Sequence, residues 1–443
     1  MNRSITLVAV LTFALFVGPS FAADWPQWRG PGGQGHADAS NLPTQLGEDK
    51  HVTWKTPIPG RGHSSPVIEG NHIWLTTADD RPGSSAYVEQ RLRENTGNQP
   101  LIVSTFVSLR AVCVDKRTGE LLHNIEVLAV QDPQWVHKLN SYASPTPVIE
   151  DGRLYCHFGT LGTACLDTKT GKVLWRNRSL HVMHENGPGS TPVLYKDKLI
   201  FHMDGSDKQY IVALDKNTGK VAWQTDRSGE LNENPQLRKA YCTPLIVDIQ
   251  GQPTVVSPAA DWLYCYNPDT GKELWKLNYG ALGFSNVPRP IVGHGMIYIA
   301  TSFMRSELLA VRYDGADGVA EPHIVWRYAR QVPRMSSPIL VGNEIYFTSD
   351  TGTFTCLDAK TGDEWFAERL GGNYSASPTY ADGHLYLFNR EGEATVVKPG
   401  RELNIVSTGE FEGGFYASPA IVDNAMFLRT DKALYRVEVQ RAR

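Results

Sequence analysis

The sequence predicts an all-β fold: an eight-bladed β-propeller of four-stranded antiparallel blades, with the ring closed by an N-terminal strand that completes the last blade. Three observations carry the prediction. The first is composition: 40 Gly, 27 Pro, 11 Trp and 18 Tyr in 443 residues, with charged residues at 20%. Such a mixture suits short strands joined by tight turns and argues against a helical protein. The second is a repeat. Residues 144–176 run from Thr146-Pro147-Val148 through a polar turn at Asp151-Gly152 to an apolar strand at Leu154-Tyr155. A Gly turn, a strand ending in Leu166-Asp167, a Thr170-Gly171 turn and a strand reaching Trp175 complete a four-stranded meander. The third lies at the chain ends. The last copy, from Ser418 to Val439, has room for three strands, while His51–Thr56 with Trp54 reads as an orphan fourth. A small sheet cannot bury both faces alone, so stacked sheets close into a ring.

In chain order, Met1-Asn2-Arg3, an apolar run from Ile5 to Val17, and Ser20 and Ala22 before Ala23 predict a signal peptide over residues 1–22. The expected location is therefore periplasmic or secreted. Residues 23–50 form an N-terminal extension, 51–439 the propeller and 440–443 a tail. The opening proline recurs at Pro66, Pro147, Pro192, Pro244, Pro290, Pro338, Pro378 and Pro419. The Thr-Gly turn returns at Thr118-Gly119, Thr218-Gly219, Thr270-Gly271 and Thr361-Gly362, and the closing tryptophan is assigned to Trp175, Trp223, Trp275, Trp326 and Trp365. Copy five lacks the Thr-Gly turn, and copy seven lacks both turn and tryptophan. Blade one carries an insertion at about 78–105, between its second and third strands. Within it Ser85–Glu94 predicts a short polar helix ended by Thr96-Gly97-Asn98, placed to cover part of the channel mouth.

Cys113, Cys165, Cys265 and Cys356 each stand two residues before the residue that ends a third strand, and Ala213 fills that place in copy three. A position taken by Cys or Ala is a small buried slot, so at least four free thiols are expected. Cys156 and Cys165 flank one hairpin turn, which leaves a bridge between them open. His123, His157 and His202 fall at packing positions. No His-Glu-x-x-His or Gly-x-Ser-x-Gly occurs.

The unit small-Pro-Val, Gly-x-Leu-Tyr, Leu-Asp-x-x-Thr-Gly-Lys-x-x-Trp, best matched by Leu166–Trp175, closely resembles the pyrrolo-quinoline quinone (PQQ) repeat over about residues 51–439. Asp24-Trp25-Pro26-Gln27-Trp28-Arg29-Gly30-Pro31 also looks like the start of many secreted bacterial PQQ-like propellers. The resemblance implies either of two functions. One is a non-enzymatic scaffold, similar to the propeller subunit of the outer-membrane β-barrel assembly machinery. The other is a quinoprotein alcohol or sugar dehydrogenase that holds PQQ with Ca²⁺ against a disulfide of adjacent cysteines. No Cys-Cys pair and no Cys-x-x-Cys-His haem motif is present. Glu185, Asn186, Asn232, Asn234 and Asp261 are the oxygen donors that a calcium ion would need to draw together. The scaffold reading is preferred, with no cofactor required and PQQ with Ca²⁺ kept as the alternative.

Strand alternation puts the D–A and B–C loops of each blade on one face and the A–B and C–D turns on the other. The D–A loops collect Arg61, His63, His184, Glu185, Asn186, Arg238, Tyr241, Arg289, Arg334, Tyr374 and Tyr416. We expect these residues to form a partner-binding channel mouth. The four arginines would attract an anionic ligand or an acidic protein segment, and His63 and His184 would add charge below about pH 6.5. With a net charge of −4, no nucleic-acid partner is expected. No apolar stretch beyond residue 22 approaches the roughly 20 residues of a membrane-spanning helix. A monomer is expected.

Overall fold

In the computed structural model, residues 24–93, 95, 99–314 and 321–440 are described. The predicted signal peptide, Glu94 at the end of the predicted helix, Thr96-Gly97-Asn98 and residues 441–443 of the tail fall outside them. Eight four-stranded antiparallel sheets make the ring. Blade two shows the pattern, with strands A to D at Val148–Glu150, Arg153–His157, Thr163–Asp167 and Val173–Asn177. The A strands of neighbouring blades contact one another and so line the channel, whereas the D strands lie outermost. Blade eight takes Ala420–Val422, Ala425–Arg429 and Ala433–Glu438 from the C-terminus and Val52–Pro57 from the N-terminus. Residues Val52 to Pro57 pair antiparallel with Val437 to Ala433. The ring closes as the orphan strand predicted.

Each tryptophan of the repeat has a specific seat. Trp175, Trp223, Trp275 and Trp326 pair with Cys165, Ala213, Cys265 and Ala310 on the C strand beside them. A small residue there leaves room for the indole. The ring then reaches the next blade: Trp175 Nε1 donates to Lys216 O at 3.0 Å, and Trp223 Nε1 to Pro268 O at 3.1 Å. Under Trp223 lies Gly271 of the Thr-Gly turn, with φ +72°, where an added Cβ would stand 2.5 Å from the indole. Both backbone angle and contact demand glycine. Thus the small slot, the tryptophan and the Thr-Gly turn form one inter-blade joint.

One assignment changes. In blade six the residue paired with Cys356 is Phe366, while Trp365 is 39% exposed beneath Arg401. A one-residue shift in a strand turns a side chain to the opposite face. The spacing from the Thr-Gly turn carries the signal, because Phe366, like Trp175 and Trp223, stands five residues after the threonine. Cys156 also pairs with Ala164 rather than with Cys165, so those two sulfurs lie on opposite faces. All six cysteines are free and buried.

A second ring of contacts runs around the channel at the residue before each opening proline. Ser65 N–H donates to Thr146 Oγ1, Thr146 N–H to Thr191 Oγ1 and Thr191 N–H to Thr243 Oγ1, at 2.9–3.0 Å. The series resumes from Arg289 N–H to Ser337, then Ser377, Ser418 and back to Ser65, at 2.9–3.0 Å. Seven of the eight places hold Ser or Thr, and the eighth holds Arg289.

The insertion in blade one is part strand and part helix. His72–Pro82, Ser104–Asp115 and Leu121–Gln131 extend beyond their counterparts as a three-stranded tongue on the loop-rich side. The helix Ser85–Leu92 caps it, with Ser84 Oγ accepting from Tyr87 N–H. Leu101–Ile102 turns aside and pairs with Val136–His137 in the loop to blade two.

Candidate functional site

The loop-rich face divides into three groups of residues, and the structure disperses the arginines. In the first group, blades two to five share a hydrogen-bonded cluster. His184 Nε2 accepts from Thr160 N–H at 3.1 Å, which places the ring proton on Nδ1. The Tyr241 hydroxyl donates to His184 O, and Asn186 Nδ2 donates to Tyr241 Oη at 3.3 Å. Glu185 Oε1 accepts from Ser206 Oγ at 2.9 Å. Glu185 and Ser285 hold φ of +66° and +55°, the left-handed region that non-glycine residues seldom occupy. Beside them Lys239, also buried, donates from Nζ to Gln236 Oε1 at 2.6 Å. Burial pushes its ammonium down to about 8, opposed by the charge of Glu185.

The second group joins blades eight, one and two. Half-buried His63 stacks on Tyr416 with ring centroids 4.2 Å apart. Arg61 ties loops together, its Nη2 donating to Lys138 O at 2.6 Å and to Asn140 O at 2.8 Å. In the third group, Arg334 N–H donates to Asp350 Oδ1 at 2.9 Å and Tyr374 N–H to Asp350 O at 3.2 Å. The exposed Arg334 guanidinium lies 5.6 Å from the centroid of the Phe303 ring.

The expected funnel of four arginines is therefore corrected. Arg238 folds back on its own loop, with Nε to Asn232 O at 2.6 Å and Nη2 to Glu233 O at 3.0 Å. Arg289 is 2% exposed and turns into the channel, where Nη1 donates to Trp28 O at 2.9 Å. A position rule for loops does not tell where a long side chain ends. The expected histidine charge is corrected too. Burial pushes His184 down to about 4, and burial with the Arg61 and Arg429 charges pushes His63 down to about 3. Both imidazoles are neutral at pH 6.5.

Sequence reasoning missed what Arg289 holds. Residues 24–37 lie inside the ring of A strands. Trp25 exchanges both backbone bonds with Ile68 at 2.9 Å, and Pro26 O accepts from Ile149 N–H. Arg29 Nη2 donates to Pro338 O at 2.8 Å, Gln34 Oε1 accepts from Val292 N–H, and Tyr380 N–H donates to Gly35 O. Blades one, two, five, six and seven all contribute. The segment leaves past the A–B turns, where Ser40 and Leu42 N–H groups donate to Asn424 and Asp382. The sequence signal was Arg289 itself, a long cation at a Ser/Thr place.

The oxygen donors proposed for calcium are engaged elsewhere. Asn232 and Asn234 cap their own exposed loop, Glu185 faces Ser206 and Lys239, and Asn186 serves Tyr241. Burial raises the Asp261 carboxyl to about 6, so it resists ionisation. Among the described residues no group of three or more His, Cys, Asp and Glu side chains is placed to hold a metal. This donor set does not fit a calcium–quinone pair.

Eight blades, indole-on-glycine joints and a closed ring define a propeller of the PQQ-repeat class. More particularly, the family profile described as outer membrane protein assembly factor BamB matches residues 108–248 and 323–405, just over half of the chain, and the chain belongs to that family. The chain is 22% identical over 349 residues to the tetrathionate hydrolase of Acidithiobacillus ferrooxidans, covering 76% of this chain and 65% of that protein. It is 23% identical over 206 residues to BamB of Legionella pneumophila, covering 44% and 50%. The alignments thus span between half and two thirds of these relatives' lengths. Among solved structures, the quinohemoprotein alcohol dehydrogenase of Comamonas testosteroni superposes with a TM-score of 0.56 at 10% identity, over 95% of this chain and 81% of that one. That likeness concerns the fold alone. No helix among the described residues is long and apolar enough to cross a membrane.

Proposed function

We propose that the chain is an exported propeller that acts as a binding or scaffold module for a protein partner through its loop-rich face. One observation carries the reading: the two faces are built differently. The C–D turns repeat one Asp/Asn–Thr-Gly geometry, in which Asp115, Asp167, Asp215 and Asn267 Oδ1 each accept from the threonine N–H. The other face carries the blade-one tongue, left-handed Glu185 and Ser285, and the exposed two-residue strand Phe303–Met304. Exposed apolar side chains also stand at the starts of outer strands, such as Leu121, Leu174 and Leu274, so it is the irregular backbone around Phe303 and Met304 that suits a partner surface. Membership of the BamB family supports a scaffold role.

The quinoprotein reading draws on the shared fold and on 29% identity over 139 residues to the quinoprotein ethanol dehydrogenase of Pseudomonas aeruginosa, while the engagement of its candidate donors with the protein's own groups counts against it. The test is to incubate purified protein with PQQ and Ca²⁺, then follow absorbance and dye-linked alcohol oxidation. Neither uptake nor turnover is expected. Uptake with turnover would overturn the scaffold proposal.

A further inference from the structure

The loop from blade five carries an irregularity that no joint of the ring needs. Gly283–Phe284 and Phe303–Met304 pair as a separate two-stranded ribbon standing on the loop-rich face. Met304 is 76% exposed, the most exposed large apolar residue among the described residues, and its φ is +82°. A methionine there bears both solvent exposure and backbone strain, and neither is relieved within the chain. Phe303 beside it is 39% exposed and packs on Phe284 with centroids 6.3 Å apart.

Two exposed arginines and one buried lysine lie near the ribbon. The Arg334 guanidinium lies over Phe303, and the Lys239 ammonium lies 5.9 Å from the Phe284 ring centroid. Arg305, adjacent to Met304, is exposed. Among the described residues neither Arg305 nor Arg334 forms an ion pair, whereas exposed Arg330, in the same loop as Arg334, pairs with Glu364 at 3.0 Å. The exposed ledge sets the apolar Phe303 and Met304 beside the positive Arg305 and Arg334. The Arg334 charge acts on the Asp350 carboxyl, but among the described residues no carboxylate fills either guanidinium fork, and an open fork is complementary to a carboxylate brought from outside.

We propose that this ledge is the docking site for an extended acidic peptide segment of a partner protein, one that sets apolar side chains against Phe303 and Met304 and carboxylates against Arg305 and Arg334. The proposal rests on the binding-module reading above and gives it a location and a partner chemistry. Methionine adapts to varied apolar shapes, and the two arginines supply the sign selection.

The probe is a phage-displayed library of random dodecapeptides, panned against the full mature chain at low salt. Enriched peptides should combine Asp or Glu with Leu, Phe or Met, and should lose at least tenfold in affinity for the R305E/R334E double variant by fluorescence anisotropy. The M304S variant should weaken them as well, and because all three side chains are exposed, thermal unfolding should match the parent. Enriched peptides that bind R305E/R334E as tightly as the parent, yet are lost in H63A/Y416A, would overturn the ledge and leave the loop-rich face as the binding surface. Failure to enrich any peptide that discriminates either variant would overturn both.

Discussion

The two faces of this propeller follow different rules. On the C–D face, the same joint is built again and again: a small residue, an indole, and a glycine turn from the next blade. Each part is legible because the same physical need produces the same residue at the same spacing. On the loop-rich face, beyond the Ser/Thr ring at the channel, the side-chain contacts differ from blade to blade. Tyr241 reaches His184, His63 stacks on Tyr416, Arg61 clasps two carbonyls, and Phe303 and Met304 face solvent. Regularity marks what holds the ring together, and departure from it marks what the ring presents.

The strongest way to break that comparison is to remove the N-terminal part. Deleting residues 24–56 takes away the outer strand of blade eight and the segment inside the channel together, exposing an edge and an apolar face. The truncated chain should aggregate or lose cooperative unfolding in denaturant. A soluble product with the parent's stability would show that closure does not depend on this strand.

Next in size is the joint itself. Trp223 is buried, and its indole spans two blades. Trp223→Ala should cost about 3–5 kcal/mol, the usual range for emptying a large aromatic site, measured by denaturant unfolding. Substitutions of Leu231 on the loop-rich face should move stability by less than about 0.5 kcal/mol. Comparable losses at both places would erase the distinction between the faces.

Acid should act on the loop-rich side first. His157, with a folded value near 3, and His184, near 4, are buried in that part of the ring. Their folded values lie below the unfolded value of about 6.5, so the unfolded chain takes up the proton first. Their contribution is complete above pH 6.5 and declines as pH falls toward 4. Each such imidazole should remove about 2 kcal/mol by pH 5. Hydrogen exchange at pH 5 should therefore rise around residues 157–163 and 182–186 before it rises in the C–D turns. His184→Gln should flatten the pH profile, and an unchanged slope would count against the neutral buried imidazole.

The smallest expected effect sharpens the comparison at one residue. Arg289→Ser would supply the eighth hydroxyl of the ring and release Trp28. Global stability should change by roughly 1 kcal/mol, the scale of a hydrogen bond gained and another lost, while exchange protection falls within residues 24–37. A loss of protection spread evenly over the blades would mean that Arg289 is a general tie and not a latch on the channel segment.

Most of the fold was legible, and the reason is physical. Eight prolines, the Thr-Gly turns and the orphan His51–Thr56 strand each answer a repeated packing need, so periodicity discloses them. The blade-six error shows the limit. Two adjacent aromatics, Trp365 and Phe366, offer one position, and residue identity pointed to the tryptophan while spacing pointed to Phe366. Less of the candidate site was legible. Sequence order located the D–A loops and thereby brought His184, Glu185, Asn186 and Tyr241 together. It carried no information on where a seven-atom arginine side chain ends, so Arg289 and Arg238 were grouped with Arg334 although their guanidinium groups point elsewhere. Nor did it expose the channel segment, because Trp25 to Ala37 follows no period. The ledge at Phe303–Met304 escaped for the same reason, since its signal is an exposed methionine, and exposure is a tertiary property.

The central claim is that partners meet the loop-rich face. The most direct measurement is site-specific photo-crosslinking in the producing cell, with a photoreactive residue placed at Leu139 or Leu231 on that face and at Lys169 or Asn217 on the C–D turns. The account predicts discrete protein crosslinks from the first pair and none from the second. Crosslinks of equal strength from Lys169 and Asn217, or from those positions alone, would contradict it.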